Sequence, residues 1–230
     1  MSRIILSDIH GCYKTMLALV AKLPAGIPLT FAGDLIDRGL NSKDVIEFVK
    51  NGGHDCVVGN HEVMMLDELR IDNDEIEVKS YEEGIWLMNG GEKTLDSYDT
   101  ENGIIKLKEH IQWIKTLPYH IEYPELKNDD GQHLLVTHTT ANQVWGKYAP
   151  DTDTFKNSVI WERTSIPTKI TDIFNVYGHT PQRRRATVRE HFACIDTGGY
   201  YKRGPYGRLT ALQFPEMKVF VQENVEDEKT

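Results

Sequence analysis

Aspartate, histidine and asparagine recur in five short segments of this chain. They are Asp8-Ile9-His10-Gly11, Gly33-Asp34-Leu35-Ile36-Asp37-Arg38-Gly39, Gly59-Asn60-His61-Glu62, Thr137-His138 and Gly178-His179. Carboxylate and amide oxygens mixed with imidazole nitrogens suit a divalent transition metal such as Mn²⁺, Fe or Zn²⁺. The glycines let the backbone turn sharply and come close to an ion or a phosphate. Each segment alone says little, because an Asp-x-His arises readily in a capped turn and a Gly-His pair still more readily. Their joint occurrence, in this order and each directly after an expected strand, points to one site.

The elements that must present these segments follow from the apolar pattern. Arg3 to Ser7 reads as a buried strand, and Tyr13 to Lys22 as a helix with Met16, Leu17, Leu19 and Val20 at helical spacing. Ile27 to Ala32 is a second strand. Ser42 is the expected N-cap of a helix through Val45, Ile46 and Val49 that ends at Gly52-Gly53. Asp55 to Val58 is a third strand. Strands alternating with helices imply βαβ units and a parallel or mixed sheet, with ligands held at loops beyond the carboxyl ends of the strands. From about 63 to 118 the chain changes character. It is strongly acidic from Asp67 to Glu83, then carries Trp86-Leu87-Met88-Asn89-Gly90-Gly91 and a helix from Ile104 to Lys115, so a helical cap inserted in one domain spanning 1–230 is expected. Strands return at Leu134 to Val136, Phe174 to Tyr177, Phe192 to Ile195, Thr210 to Phe214 and Lys218 to Val221, and the polar tail from Glu223 to Thr230 is expected to fray.

Composition sets the outer limits. The 230 residues include 40% apolar side chains, enough for a real core, which excludes global disorder. Lys and Arg number 26 against 35 Asp and Glu, for a net charge of −9. That balance argues against sequence-independent nucleic-acid binding, although a local cluster of cations can still hold a phosphate. No apolar run approaches the roughly 20 residues that span a bilayer. The N-terminus is too soon charged for a signal peptide, and three scattered cysteines (Cys12, Cys56, Cys194) suit a reducing compartment. A cytoplasmic protein without membrane or nucleic-acid partners is therefore expected. Other phosphatase chemistries find no footing: no Cys is followed by Arg six positions later, no Gly-x4-Gly-Lys-Ser/Thr loop is present, and Asp151-Thr152-Asp153-Thr154 follows no buried strand and reads as a polar loop.

Taken together, the five segments resemble the calcineurin-like metallophosphoesterases, and within them the phosphoprotein phosphatase branch with its compact bacterial and phage lambda-type serine/threonine phosphatases. The resemblance extends over nearly the whole chain and includes Trp86 to Gly91 and Val159-Ile160-Trp161-Glu162-Arg163. It implies an α/β fold (α+β) in which two mixed β-sheets are sandwiched between helices. It further implies a pair of divalent ions, with Mn²⁺ expected and Fe or Zn²⁺ as alternatives. Asp8 and His10 would bind one ion, Asp34 would bridge, and Asn60, His138 and His179 would complete the second. His61 resembles the general acid, Asp37 the carboxylate that orients it and raises its pKa, and Arg38 and Arg163 the cations that grip phosphate. The implied reaction is attack of a dimetal-bridging hydroxide on phosphoserine or phosphothreonine, and on phosphotyrosine as an extension, in a phosphorylated protein or peptide. A monomer in the bacterial cytosol, or in host cytosol for a phage-encoded chain, goes with that reading.

The same first three segments also suit a dinucleoside tetraphosphate (Ap4A) hydrolase. The carboxylate at Asp37 favours phosphomonoester work over the symmetrical enzymes of that kind, and the asymmetrical ones stay open. A scaffold that only binds is disfavoured by the full ligand set. His54, His110, His120, His133 and His191 are read as packing or surface residues, Gln182 to Arg185 as a solvated loop, and Trp86 as a core residue that closes the cap. Thr139-Thr140 departs from the family pattern and puts the shape of the adjacent cleft in question.

Overall fold

The computed structural model describes residues 1–72, 75–80, 82, 84–164 and 166–227. In chain order, β1 (Arg3–Leu6) leads to α1 (Tyr13–Val20), β2 (Leu29–Phe31) to α2 (Ser42–Asn51), and β3 (Asp55–Cys56) to α3 (Asn60–Glu68). A hairpin follows, β4 (Leu69–Asp72) and β5 (Glu75–Val78), then a 3-10 turn at Leu87–Asn89, α4 (Gly91–Ser97) and α5 (Gly103–Ile114). The second half holds β6 (His120–Lys127), β7 (His133–Thr137), α6 (Asp153–Trp161), β8 (Ile173–Tyr177), β9 (Thr187–Val188), β10 (Phe192–Cys194), β11 (Arg208–Phe214) and β12 (Lys218–Glu223).

Two five-stranded sheets result, in the orders β12-β11-β1-β2-β3 and β6-β7-β8-β10-β9. In the first, β1, β2 and β3 run parallel while β11 and β12 are antiparallel additions. In the second, β7, β8 and β10 run parallel, flanked by antiparallel β6 and β9. The two-residue side-chain period of a strand decides the layers. Ile5 of β1 and Leu212 and Phe214 of β11 face Leu134, Val136, Phe174 and Val176 of the other sheet, so the sheets pack face to face. Ile4 and Leu6, one residue out of phase, meet Met16 and Leu19 of α1 and Val45, Ile46 and Val49 of α2. Leu135 and Ile173 on the far side of the second sheet meet Phe155, Val159 and Ile160 of α6. Helices therefore cover both outer faces, and each fully buried large side chain contributes roughly 1.5–3 kcal/mol. This is the α/β architecture of two mixed sheets between helices expected from the resemblance.

Several local expectations are corrected. The acidic stretch after Asp67 forms the β4–β5 hairpin rather than helix, with Asn73, Asp74, Tyr81 and Glu83 outside the described residues. Ser42 is not the N-cap of α2. Asn41 holds that place, and the Ser42 hydroxyl instead accepts the Asp37 N–H at 3.1 Å. Asp151 to Thr154 is no plain loop, because the Thr152 hydroxyl accepts the Phe155 N–H at 3.3 Å and caps α6. The tail is tied down through Asp227: Glu226 accepts from Thr15, and Asp227 pairs with Lys14. Residues 228–230 of the expected frayed tail lie outside the described residues. Among the described residues no helix is long and apolar enough to cross a membrane. The cysteines are all buried and free.

Candidate active site

The carboxyl ends of β1, β2, β7 and β8, and the start of α3 just after β3, deliver the five segments to one edge of the sandwich. Asp8, His10, Asp34, Asp37, Asn60, His61, His138 and His179 are all buried there. The backbone is bent to bring them in. Asp8, His10, Asp34, Asp37, Arg38 and His179 all adopt positive φ, between 46° and 71°. A non-glycine residue in that region costs of order 1 kcal/mol or more, and such costs gather at functional sites. Gly178 allows a close approach: a Cβ there would lie 1.9 Å from the Asp8 carboxylate.

Two groups of donor atoms form around Asp34: one with His10 and His61, the other with His138 and His179. His138 Nδ1 is committed to the Ala32 carbonyl at 2.8 Å, so the neutral ring turns only a lone pair toward the site. That lone pair lies 2.9 Å from Asn60 Oδ1, 3.1 Å from His179 Nδ1 and 3.4 Å from Asp34 Oδ1. The Asn60 and Asp34 oxygens meet that lone pair acceptor to acceptor, and a cation resolves that arrangement. His10 Nδ1 is likewise committed, to the Ile36 carbonyl at 2.8 Å, which leaves Nε2 as the lone pair 3.6 Å from Asp34 Oδ2. Here a cation is already at hand: the Arg38 guanidinium donates to His10 Nε2 at 2.9 Å and to His61 Nε2 at 3.0 Å.

The electrostatics agree with the geometry. Burial pushes His138 down to about 4, and burial with the neighbouring charge of His138 pushes His179 down to about 2, so both rings are neutral and free to ligate. His10 falls well below the usual value for the same first reason, with Arg38 second. Burial raises Asp8 far above the carboxylate range, helped by the charges of Asp196 and Asp34, and it raises Asp34 as well. Neutral histidines beside uncompensated buried carboxylates are a donor set that fits divalent metal. Asp8 belongs to neither compact group. Its two oxygens accept the His179 N–H, both at 3.0 Å, so it borders the site and fixes the turn that carries His179.

His61 and Asp37 form a buried pair, Nδ1 to Oδ2 at 2.6 Å. Asp37 is held from several directions: the Trp86 indole N–H lies 3.0 Å from both oxygens, and the Thr94 hydroxyl donates at 2.6 Å. The pKa of His61 is set by more than its Asp37 partner. Burial holds His61 below the usual histidine value despite the opposing pull of Asp34, and Arg38 adds to the lowering. Asp37 itself is pushed up to about 8 by burial, against the hydrogen bonds from Thr94 and Trp86. The short Nδ1 to Oδ2 contact therefore lies in a dry setting, shielded from solvent.

Trp86 therefore does more than close the cap onto the core: it is a positioning residue for Asp37. Trp86→Phe keeps the ring and removes the donor. We expect kcat on an alkyl phosphate to fall about tenfold, the lower end of what lost outer partners cost a site. The loss should be smaller on p-nitrophenyl phosphate, whose leaving group needs no proton. An equal loss on both would mark a packing defect instead.

Arg163 stands apart. It is exposed beyond the end of α6, and among the described residues its only hydrogen bond runs from its own backbone N–H to Glu162. Its charge still helps to lower the pKa values of His138, His179 and Asp196, which puts it within electrostatic reach. Thr139 and Thr140 do not shape the cleft through free hydroxyls, since these bond the Ser158 carbonyl of α6 and Asn142. The five histidines set aside as packing residues are all engaged elsewhere: His54 against Phe48, His110 with Tyr98, His120 against Phe155, His133 with Glu122, and His191 with the Pro167 carbonyl.

Two buried acids escaped the sequence reading. Asp196, raised to about 7 chiefly by burial, accepts the Gly198 N–H at 2.7 Å and lies close enough to Asp8 to raise it. It follows β10 as Asp34 follows β2, so the strand-end pattern could have found it. Glu62 sits inside the third segment and accepts backbone N–H groups from Gly59, Asp34, Leu35 and Ile36 at 2.8, 2.9, 2.8 and 3.4 Å. It locks the Asp34 loop to the start of α3.

Known proteins place this arrangement. The sequence model for calcineurin-like phosphoesterases matches residues 1–219. The chain is 30% identical over 244 residues to the asymmetrical bis(5'-nucleosyl)-tetraphosphatase PrpE of Halalkalibacterium halodurans, covering 93% of this chain and 90% of that protein. It is 26% identical over 211 residues to serine/threonine-protein phosphatase 1 of Salmonella typhimurium, covering 86% of each. The crystal structure of a metallophosphoesterase from Sphaerobacter thermophilus superposes with a TM-score of 0.57 at 16% identity, over 99% of this chain and 90% of that one, a likeness of fold. A match that runs from β1 through β11 and across every donor segment leaves one assignment: the chain belongs to the calcineurin-like phosphoesterases.

Proposed function

We propose that the protein is a metal-dependent phosphomonoester hydrolase acting on phosphoserine and phosphothreonine, and on phosphotyrosine as an extension, in proteins or peptides. The observation that carries this reading is the buried His61–Asp37 pair beside the donor groups, 2.6 Å between Nδ1 and Oδ2. A serine or threonine alkoxide is a very basic leaving group, so a proton delivered to it lowers the barrier, typically by about 10²–10⁴ in rate. The nucleotide released from a dinucleoside polyphosphate needs no such proton.

Asp8, His10 and Asp34 would hold one divalent ion, with Mn²⁺ the first expectation and Fe or Zn²⁺ the alternatives, and Asp34, Asn60, His138 and His179 a second. Such ions supply concentrated positive charge that makes water nucleophilic at neutral pH and offsets the charge on phosphate. The chain's own groups do the rest. Arg38, half-buried and braced by the Tyr200 ring 4.8 Å away, offers a forked guanidinium to two phosphoryl oxygens. Arg163 adds charge from the rim. A phosphate dianion that engages Arg38 draws it from His61 and favours the imidazolium, so His61 Nε2 can protonate the leaving oxygen while Asp37 keeps the ring oriented.

A second reading, hydrolysis of a dinucleoside tetraphosphate, is favoured by the likeness to PrpE over 93% of the chain. A side-by-side assay with Mn²⁺ on a phosphoserine peptide and on diadenosine tetraphosphate separates the two. We expect the peptide to be the better substrate. Chelator should abolish the activity and Mn²⁺ restore it. Preference for the dinucleotide overturns the first reading, and turnover that resists chelation overturns the metal assignment.

A further inference from the structure

Beyond Arg38 the site opens into a cleft of about 570 Å³ whose walls carry Lys14, Lys93, Lys202 and Tyr200. These lysines and Arg38 number four against Glu226 and Asp227 in the lining and Asp96, which pairs with Lys93 at 3.0 Å, so the cleft keeps a local cationic excess on a chain of net charge −9. We propose that this cleft is a second substrate subsite, which takes an acidic side chain that the phosphopeptide carries near its phosphorylated residue. The inference rests on the phosphopeptide reading given above.

The chain's own tail shows what the cleft accommodates. Asp227 pairs with Lys14. Lys202 Nζ donates to the backbone carbonyls of Glu226 at 3.2 Å and Asp227 at 2.6 Å, while the Glu226 carboxylate accepts the N–H and hydroxyl of Thr15 at 2.8 and 3.0 Å, in the first turn of α1. Lysines that grip peptide carbonyls and a carboxylate on an acidic segment are suited to another acidic peptide laid alongside. A nucleotide base fits less well. The one aromatic wall, Tyr200, is already taken up by Arg38, by His10 at 5.7 Å and by Tyr201 at 4.0 Å between centroids, so it has no free face for stacking. The subsite adjoins Arg38, so one ligand can reach both the phosphate position and the cleft.

The test compares two phosphoserine peptides that differ only in whether the neighbouring residues are Glu and Asp or Gln and Asn, with Mn²⁺ present. The acidic peptide should have the lower KM. Lys14→Gln and Lys202→Gln should each shrink the KM ratio by about threefold, the scale of an exposed ion pair. Asp227→Asn should enlarge the ratio, because it removes a competitor for Lys14, and an effect of opposite sign is not expected from general damage. Lys127→Gln, at an exposed position at the end of β6, should leave the ratio unchanged. Equal KM values for the two peptides, or a ratio indifferent to the lysines, overturns the subsite while phosphopeptide hydrolysis stands. Failure to hydrolyse either peptide, with diadenosine tetraphosphate turned over, overturns both. A lysine effect confined to the dinucleotide reassigns the cleft to a phosphate chain and overturns the acidic-peptide proposal.

Discussion

His61→Asn should lower turnover of a phosphoserine peptide by about 1,000-fold, within the range that a positioned general acid supplies. The substitution keeps a polar side chain of smaller volume and removes the proton that Nε2 can deliver. The loss should shrink to about tenfold or less on p-nitrophenyl phosphate, because nitrophenolate leaves unaided. Metal binding supplies the control. His61 joins His10 and Asp34 in one of the two donor groups, but its Nε2 stands 3.9 Å from Asp34 Oδ2, farther than His10 at 3.6 Å, and its other nitrogen is given to Asp37. We therefore expect Mn²⁺ content in the variant to stay near that of the wild type. An equal loss on both substrates together with lost metal would make His61 a ligand and remove the general acid from the account.

Glu62→Leu should destabilise the fold by about 3 kcal/mol. The Glu62 carboxylate accepts four backbone N–H groups from two different loops, all buried. An unsatisfied buried donor costs about 1–3 kcal/mol, so four of them would cost more than the prediction. The opposing effect is that the wild-type carboxylate is itself expensive to bury: burial and the nearby charge of Asp34 raise its pKa. Removing that charge returns part of the loss. For a chain of 230 residues, 3 kcal/mol corresponds to a Tm lower by about 10 °C. Glu62→Gln, which retains one carbonyl oxygen, should recover part of this in chemical denaturation. A change below about 1 kcal/mol in Glu62→Leu would mean that the loop is held by something other than these bonds.

The contrast between these residues shows what was legible in the sequence. His61 and its fellow donors were visible because chemistry-bearing types stood directly after apolar runs, and strand ends in a parallel sheet converge on one edge. The same rule would have found Asp196 after β10. Glu62 was in view as part of Gly59-Asn60-His61-Glu62, yet its role depends on N–H groups about 26 to 28 residues away, which no local pattern encodes. Trp86 was read as core, and it is fully buried. Its bond to Asp37 spans 49 residues and arises from the packing of the segment between α3 and α4 on the first sheet. Among the elements, β6 was hidden because Pro124 interrupts its alternation, and the pairing with β7 slips between Tyr123 and Lys127. The β4–β5 hairpin carries a two-residue apolar alternation, Leu69 and Ile71 then Ile76 and Val78, but each strand is only four residues long and the acidic run around it masks the period. Where the core dictated the pattern, as in β1, α2 and β8, sequence and fold agree to within a few residues.

The central claim is that Asp8, His10 and Asp34 on one side, and Asp34, Asn60, His138 and His179 on the other, hold two divalent ions. Equilibrium dialysis against Mn²⁺, on the apo protein and on the Asp34→Asn variant, tests it most directly because it needs no substrate. Asp34 is the one carboxylate common to both groups, so its loss should weaken both. The account predicts about two Mn²⁺ per chain for the wild type and loss of tight binding at both positions in Asp34→Asn. A single ion per chain, or two that persist unchanged in the variant, would contradict it.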